Sequence, residues 1–408
     1  MINVGKPNIV ILGAGYGGMM TTVQLQKSLR ADEANITLVN INDYHYQTTW
    51  LHENAAGTLP HERTKIQIKD IINPNKVNFI QDKVILINPK KKQVQLENGV
   101  LHYDVLVIAL GFEVATFGIP GLEEHAFTID NINSACSIRD HIEHNFASYH
   151  NDVKKDPARL TIVVGGGGFT GVEFLGELAN RVDELCKKYD IDKQLVQMIN
   201  IEGAPTILPG FDEQLAEYAM NSLESRGVEF ITGAFLKECT SSSVLFEKNG
   251  LPAKIHTNTI VWAAGVRANS IVEKSGFKTN RGKIEVNNDM RCPEYEDVFV
   301  IGDCALIMDL EHGNPYPPTA QMAIQESEVV SYNVRAYIRG EEMEVFKPNI
   351  LGTVASLGHN DAMGIIFNDK IILGRKATVM KKIIDNRYLF KLGGIRLLMK
   401  KGKFNIFH

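Results

Sequence analysis

A chain of 408 residues, 44% apolar and 22% charged, is too long for one core of ordinary size and too average in composition for a disordered, collagen-like or disulfide-stapled protein. Its cysteines, Cys136, Cys186, Cys239, Cys292 and Cys304, form no C-x-x-C pair, which excludes that redox or zinc motif and predicts reduced, intracellular, mostly structural thiols. No apolar run reaches the roughly 18 residues of a spanning helix, nor do the first residues form a signal-peptide core. Residues 375–408 carry a net +9 in a chain of net −5, so the remainder carries −14, and such a basic end points to a negatively charged surface.

The first apolar run, Asn8-Ile9-Val10-Ile11-Leu12, predicts a strand buried on both faces, as in a parallel sheet. Next come Gly13-Ala14-Gly15-Tyr16-Gly17-Gly18, a helix-compatible stretch to about Arg30 and a second strand over 36–40, together a βαβ unit. Glycines at 13, 15 and 18 suit a tight turn, a close approach of backbone to a pyrophosphate and a helix–strand contact. The helix start adds free N–H groups and a positive dipole end. Alone this motif is weak, because such turns also occur without a ligand. Segments 77–80, 83–87 and 93–96, with an Asn98-Gly99 turn, read as an antiparallel meander inserted after the opening unit. The chain then returns to the sheet through 105–110, ending at Gly111.

A helix is expected over 131–150, and the polar stretch 151–157 reads as a boundary. Beyond it the opening pattern repeats, with a strand over 160–164, a turn containing Gly166, Gly168 and Gly171, a helix to about Lys188 and a strand over 196–202. Glu202, at that strand end, is placed to accept hydrogen bonds from an adenosine ribose and to repel a 2′-phosphate, favouring NADH over NADPH. The first unit has Asn40 at the matching place, a departure from the usual acid, although an amide still bonds ribose. Strands over 259–264 and 298–301 end at Gly265 and at Gly302-Asp303, and from about 346 hairpin-like segments lead into a basic amphipathic stretch. Two phosphate cradles imply two dinucleotides, and the economical chemistry for the pair is hydride transfer from a nicotinamide to a flavin.

Taken in order, residues 13–18, Ala109-Leu110-Gly111, residues 166–171, Ala263-Ala264-Gly265 and Ile301-Gly302-Asp303 resemble the two-dinucleotide flavoprotein reductases, whose FAD domain is interrupted by an NAD domain. With Phe169-Thr170-Gly171-Val172-Glu173, Thr319-Ala320-Gln321, Met380-Lys381-Lys382 and the basic end, the sequence resembles more narrowly the type II NADH:quinone oxidoreductases, single-subunit and non-pumping, over essentially its whole length. The resemblance implies an α/β architecture of two Rossmann-like domains. The FAD domain would occupy 1–118 and 291–345, the NAD(H) domain 119–290, and a membrane-associating region 346–408. It further implies that Gly13, Ala14, Gly15, Tyr16 and Gly17 surround the FAD pyrophosphate, with Asn40 and Ile41 at its adenosine and Val84 beside its adenine. Gly111, Asp303, Ala320, Gln321 and Lys381 complete the FAD site, while Gly166, Gly168, Gly171, Glu202 and Gly265 hold NADH. Ala320 and Gln321 would open a helix whose positive end faces the flavin and stabilises its reduced form.

Glu173 and Gln321 are the catalytic candidates. A carboxylate at Glu173 can relay protons or hold the hydride donor and the quinone, or it can simply complement the first turn of its helix. Asp303 can accept hydrogen bonds from ribityl or ribose hydroxyls, the alternative being a helix N-cap. For Lys381 the alternative is a solvated basic face.

Flavin disulfide reductases and sulfide:quinone oxidoreductases need cysteines that this sequence does not supply in pairs, so the electrons are expected to leave by another route, to a membrane quinone. Val379, Met380, Ile383, Ile384, Arg387 and Tyr388 read as one apolar stripe with basic groups around it, suited to an anionic lipid surface. The alternative is a helix packed on the chain's own core or on a dimer partner. The expectation is a peripheral homodimer on the cytoplasmic side of the cell membrane, without nucleic acid, since the end is too apolar and no nucleic-acid module is evident. His45, His52 and His61 lack acids or cysteines at metal spacing and are read as structural or flavin-shielding, with no metal site expected. Two rivals remain, a ferredoxin-type NAD(P)H-dependent flavin reductase and a flavoprotein redox sensor that binds NADH without turnover.

Overall fold

The computed structural model describes residues 5–309, 313–367 and 369–404; the outer ends of the expected 1–118 and 346–408 segments, and residues 310–312 and 368, lie outside it. Its frame is two sheets of the same design. In the first, the strands Tyr295–Val300, Val105–Ile108, Asn8–Leu12, Asn35–Asn40 and Val77–Gln81 lie side by side and parallel, and Arg291–Cys292 adds a short antiparallel edge. In the second, Phe127–Thr128, Thr259–Trp262, Thr161–Gly165, Gln197–Glu202 and Val228–Thr232 repeat that parallel order. The central strands are buried along nearly their whole length, because both faces of each sheet are covered, in the second sheet by helices on one side and by the antiparallel strands Ala234–Thr240 and Ser243–Lys248 on the other, and alternation has no exposed side to report.

The parallel pairing corrects the reading of residues 77–80. Val77–Gln81 joins the main sheet beside Asn35–Asn40, and only Val84–Asn88, Gln93–Leu96 and Gly99–His102 form the antiparallel meander. The expected helices are present as Tyr16–Ser28, Ile132–Asn151, Phe169–Tyr189 and Ala320–Arg339. An antiparallel pair, Phe112–Val114 with Val266–Ala268, ties the chain leaving the first sheet to the chain leaving the second.

The last part of the chain staples the two units together. A three-stranded antiparallel sheet, Gly352–Ser356, Ala362–Ile366 and Lys370–Leu373, sends Ala355, Leu357 and Met363 into the core of the second unit. The helix Gly374–Lys401 sends Tyr388, Leu389, Leu392 and Leu397 into the core of the first, and it breaks at Gly393 and Gly394, whose dihedrals are not helical. The expected single stripe therefore divides: Tyr388 points inward, whereas Ile383, Ile384, Phe390, Ile395 and Met399 are exposed. The helix has an inner and an outer apolar face because one side must cover the core and the other has no apolar cover among the described residues. No described helix is long and apolar enough to cross a membrane.

Candidate active site between two glycine turns

Each turn uses its glycines for two different reasons. A side chain on Gly18 would bring its Cβ within 1.9 Å of the Gly13 carbonyl oxygen, and one on Gly171 within 2.1 Å of the Gly166 oxygen, so the fold itself demands glycine there. Gly15 and Gly168 differ. Their φ values, −73° and −74°, suit any residue, and an added Cβ would meet nothing within 4 Å. Neither residue gives its helix a side-chain cap, so no capping side chain occupies the first N–H groups of Tyr16–Ser28 and Phe169–Tyr189. Open space over uncapped helix starts is what a pyrophosphate requires, and both turns fit one.

The residue closing the neighbouring strand steadies each turn. Asn40 Oδ1 accepts from Ala14 N at 2.9 Å, while its amide donates to the Asn42 carbonyl at 2.9 Å. Glu202 accepts from Gly167 N at 2.5 Å and from Ala204 N at 2.7 Å. The amide at Asn40 thus does what the acid does in the second unit. Ile41 is exposed just beyond Asn40, and buried Val84 opens the meander. Gly17 packs beneath Ile301, and Gly111 and Gly265 turn their strands away at φ of +73° and +74°.

Asp303 lies in the turn Gly302–Cys304 beside Gly111 and caps no long helix; Thr319 does that for Ala320–Arg339, accepting from Met322 N at 3.2 Å. Burial raises the Asp303 pKa. Gln321, in the first turn of that helix, accepts from Leu351 N at 3.1 Å. Glu326, which sequence reasoning passed over, accepts from Gly302 N at 2.6 Å, and burial pushes its carboxyl up to about 7.

The first turn is roofed by aromatic groups. His45 Nδ1 lies 2.8 Å from the Ala14 carbonyl and Nε2 lies 2.8 Å from the Tyr388 hydroxyl. Burial pushes the imidazole down to about 4, so the ring is neutral, donates through Nδ1 and accepts from Tyr388. Tyr16 packs edge-on against both rings and bonds Thr49 at 2.9 Å.

Behind these rings lies a buried charge cluster drawn from four parts of the chain. Glu173 lies one turn into its helix, so it does not serve the helix start. It pairs with Lys381, accepts from Ser356 N at 3.0 Å and has His52 Nδ1 3.5 Å away. Burial alone would raise its pKa, but Lys381, His52 and the Ser356 N–H outweigh burial and hold it below the ordinary glutamate value. Lys381 is buried rather than on a solvated face, and Glu173 and Asp385 more than offset its own desolvation, keeping it charged. Glu53 pairs with Lys403, whose ammonium also lies over the Trp50 ring, and the Trp50 indole donates to Asp385 at 2.8 Å. Of these groups Glu173 and Lys381 were anticipated, and His52 was singled out as structural or flavin-shielding. Glu53, Asp385 and Lys403 carried no local signal, since their partners lie up to 350 residues away. His61 sits apart, against Glu62 at 2.9 Å.

A family model described as pyridine nucleotide-disulphide oxidoreductase matches residues 7–327, so the chain belongs to that family of flavoprotein-type redox enzymes. Proteins of Staphylococcus aureus named type II NADH:quinone oxidoreductase are 44% identical over 399 residues, covering 98% of this chain and 99% of theirs. Within the wider class, the chain belongs with the type II NADH:quinone oxidoreductases. Its fold matches NDH2 from Plasmodium falciparum in complex with NADH, at 20% identity, a TM-score of 0.85 and 97% coverage of each chain. It also matches the sulfide:quinone oxidoreductase of Aquifex aeolicus, at 22% identity and a TM-score of 0.77, over 95% of this chain and 91% of that one.

Proposed function

We propose that this chain is an NADH:quinone oxidoreductase that holds FAD at the first glycine turn, takes hydride from NADH at the second and passes two electrons to a membrane quinone without pumping protons. What carries the reading is the pair of open positions at Gly15 and Gly168, each over an uncapped helix start. A run of contacts from Ala14 through His45 to Tyr388, and from Lys381 on the same helix to Glu173, links the two.

In this reading the segments 1–118 and 291–345 hold FAD and 119–290 hold NADH. Gly13, Ala14, Gly15, Tyr16 and Gly17 take the FAD pyrophosphate, with Asn40, Ile41 and Val84 at the adenosine end. Gly111, Asp303, Ala320, Gln321 and Lys381 serve the rest of FAD. Gly166, Gly168, Gly171, Glu202 and Gly265 hold NADH. FAD, when bound, supplies the two-electron relay between nicotinamide and quinone. Glu173 is held ionised by Lys381, His52 and one backbone N–H, so that it can accept a proton or hold the hydride donor and the quinone in place. Gln321 orients the helix start through its bond to Leu351.

The outer face of the last helix, with Ile383, Ile384, Phe390, Ile395 and Met399 exposed among basic residues, rests on anionic lipid at the cytoplasmic side, and two copies pair to present two such faces. Each lysine or arginine near such a surface contributes about 1 kcal/mol.

Anaerobic titration with NADH tests the core of this reading. The purified protein should be yellow, bleach on adding NADH and recover its colour with a soluble quinone. A colourless protein that takes up no flavin, or a flavin that NADH leaves oxidised, rejects it. Glu173→Gln should slow at least one half-reaction; unchanged rates in both remove Glu173 from the mechanism.

A further inference from the structure

Passing two electrons from NADH to a quinone consumes one proton from water per turnover: NADH + Q + H⁺ → NAD⁺ + QH₂. Glu173, His52 and Lys381 are shielded from solvent, so that proton needs a route to them.

Glu177 lies one turn along from Glu173 on the same face of the helix Phe169–Tyr189 and is 4% exposed. On one side its Oε2 lies 3.5 Å from Nε2 of His359, whose side chain is 39% exposed in the turn between Gly352–Ser356 and Ala362–Ile366. On the other side the same oxygen lies 2.6 Å from Thr58 Oγ1, which in turn lies 3.3 Å from the Glu53 carbonyl oxygen. A threonine hydroxyl has one hydrogen and cannot serve two acceptors. A proton on Glu177 resolves the geometry, because Glu177 then donates to Thr58 and Thr58 donates to the Glu53 carbonyl. Further in, His52 Nε2 has no hydrogen-bond partner and lies 3.8 Å from Glu53 Oε1, while Nδ1 faces Glu173. An imidazole between two carboxylates can take a proton at one nitrogen and release it at the other.

We propose that His359 and Glu177 form the inlet by which protons from water reach Glu173, with Glu53 and His52 as the inner steps. The proposal rests on Glu173 being the group that handles protons at the site. Gaps of 3.5 and 3.8 Å exceed a hydrogen bond and close by a small side-chain shift or one bridging water, and because Thr58 reaches only the Glu53 backbone carbonyl, which passes no proton on, the step from Glu177 to the Glu53 carboxylate runs through a bridging water. The groups acting on Glu177 are Glu53, Lys381, Lys382, Lys403, Arg226 and His359. Burial and the Glu53 charge push its carboxyl up to about 7 against Thr58, Lys403 and Lys381, where it can both take and give a proton at neutral pH.

Glu177→Gln in the FAD-loaded enzyme keeps an amide for Thr58 but no transferable proton. Turnover with a soluble quinone should fall by at least about tenfold and lose its inflection near pH 7, while the KM for NADH and the rate of flavin bleaching hold. Infrared titration should show one protonated-carboxyl band fewer than in wild type. His359→Ala, a surface change, should slow turnover and regain it when imidazole is added. A Glu177→Gln enzyme that keeps the wild-type pH profile and loses no carboxyl band, or a His359→Ala enzyme that imidazole does not rescue, overturns the inlet. A wild-type flavin that NADH fails to bleach removes the parent reading instead.

Discussion

The two glycine turns share a backbone and differ in what stands over them. Tyr16, which follows Gly15, is 9% exposed and boxed in by His45 and Tyr388 at ring separations of 5.6 and 4.6 Å, the latter ring supplied by the C-terminal helix. Phe169, in the same place after Gly168, is 37% exposed and meets Phe211 edge-on at 5.2 Å. A roofed turn suits a group that is retained and an open one suits a group that comes and goes. One supersecondary unit used twice can thus serve as a cofactor site and as a substrate site, with tertiary packing setting the difference.

That comparison can be broken first at the shared backbone. Gly18→Ala and Gly171→Ala each drive a methyl into a carbonyl oxygen and should each cost at least about 3 kcal/mol in chemical denaturation; wild-type stability in either would mean that the turns do not share a skeleton. Next is the roof. Lys381→Met leaves Glu173 buried without its cation and should cost about 3–5 kcal/mol near neutral pH. In the wild type the depressed Glu173 pKa contributes stability above the ordinary glutamate value, lost as pH falls through the lower folded one. Without Lys381 burial raises that pKa, so the variant's deficit should shrink as the solution is acidified, and a deficit independent of pH would contradict the pairing.

The open glycines sharpen the contrast without touching the fold. Gly15→Ala and Gly168→Ala should each change stability by less than about 0.5 kcal/mol, since the new methyl meets no protein atom. Gly15→Ala should leave the purified protein short of flavin, whereas Gly168→Ala should keep flavin and raise the NADH KM by about tenfold, a loss near 1.4 kcal/mol. Equal effects on flavin content would erase the distinction. Asn40→Asp, which keeps the acceptor for Ala14 N and loses the donor to Asn42, should cost about 1 kcal/mol by thermal melting and leave the flavin in place.

Much of the frame was legible because it is local. The apolar runs at 8–12 and 105–110, the two glycine turns and the helices after them depend on neighbours in the chain, and so does the i, i+4 spacing of Glu173 and Glu177, which was available to be read. The misassigned strand at 77–81 shows the limit, since an apolar run announces a strand but not the sheet it will join. Asn40 and Glu202 were readable as strand-end polar groups, yet their bonds to Ala14, Gly167 and Ala204 required the folded turns.

By itself the sequence determined a doubled nucleotide-binding frame, since glycine spacing and burial periodicity act over a few residues and report directly on backbone geometry. Tertiary structure alone decided which turn is roofed, which face of the last helix turns inward and how Glu173 meets Lys381 across 208 residues. Charges brought together in a buried place perturb one another strongly, and nothing in the local sequence records which charges those will be.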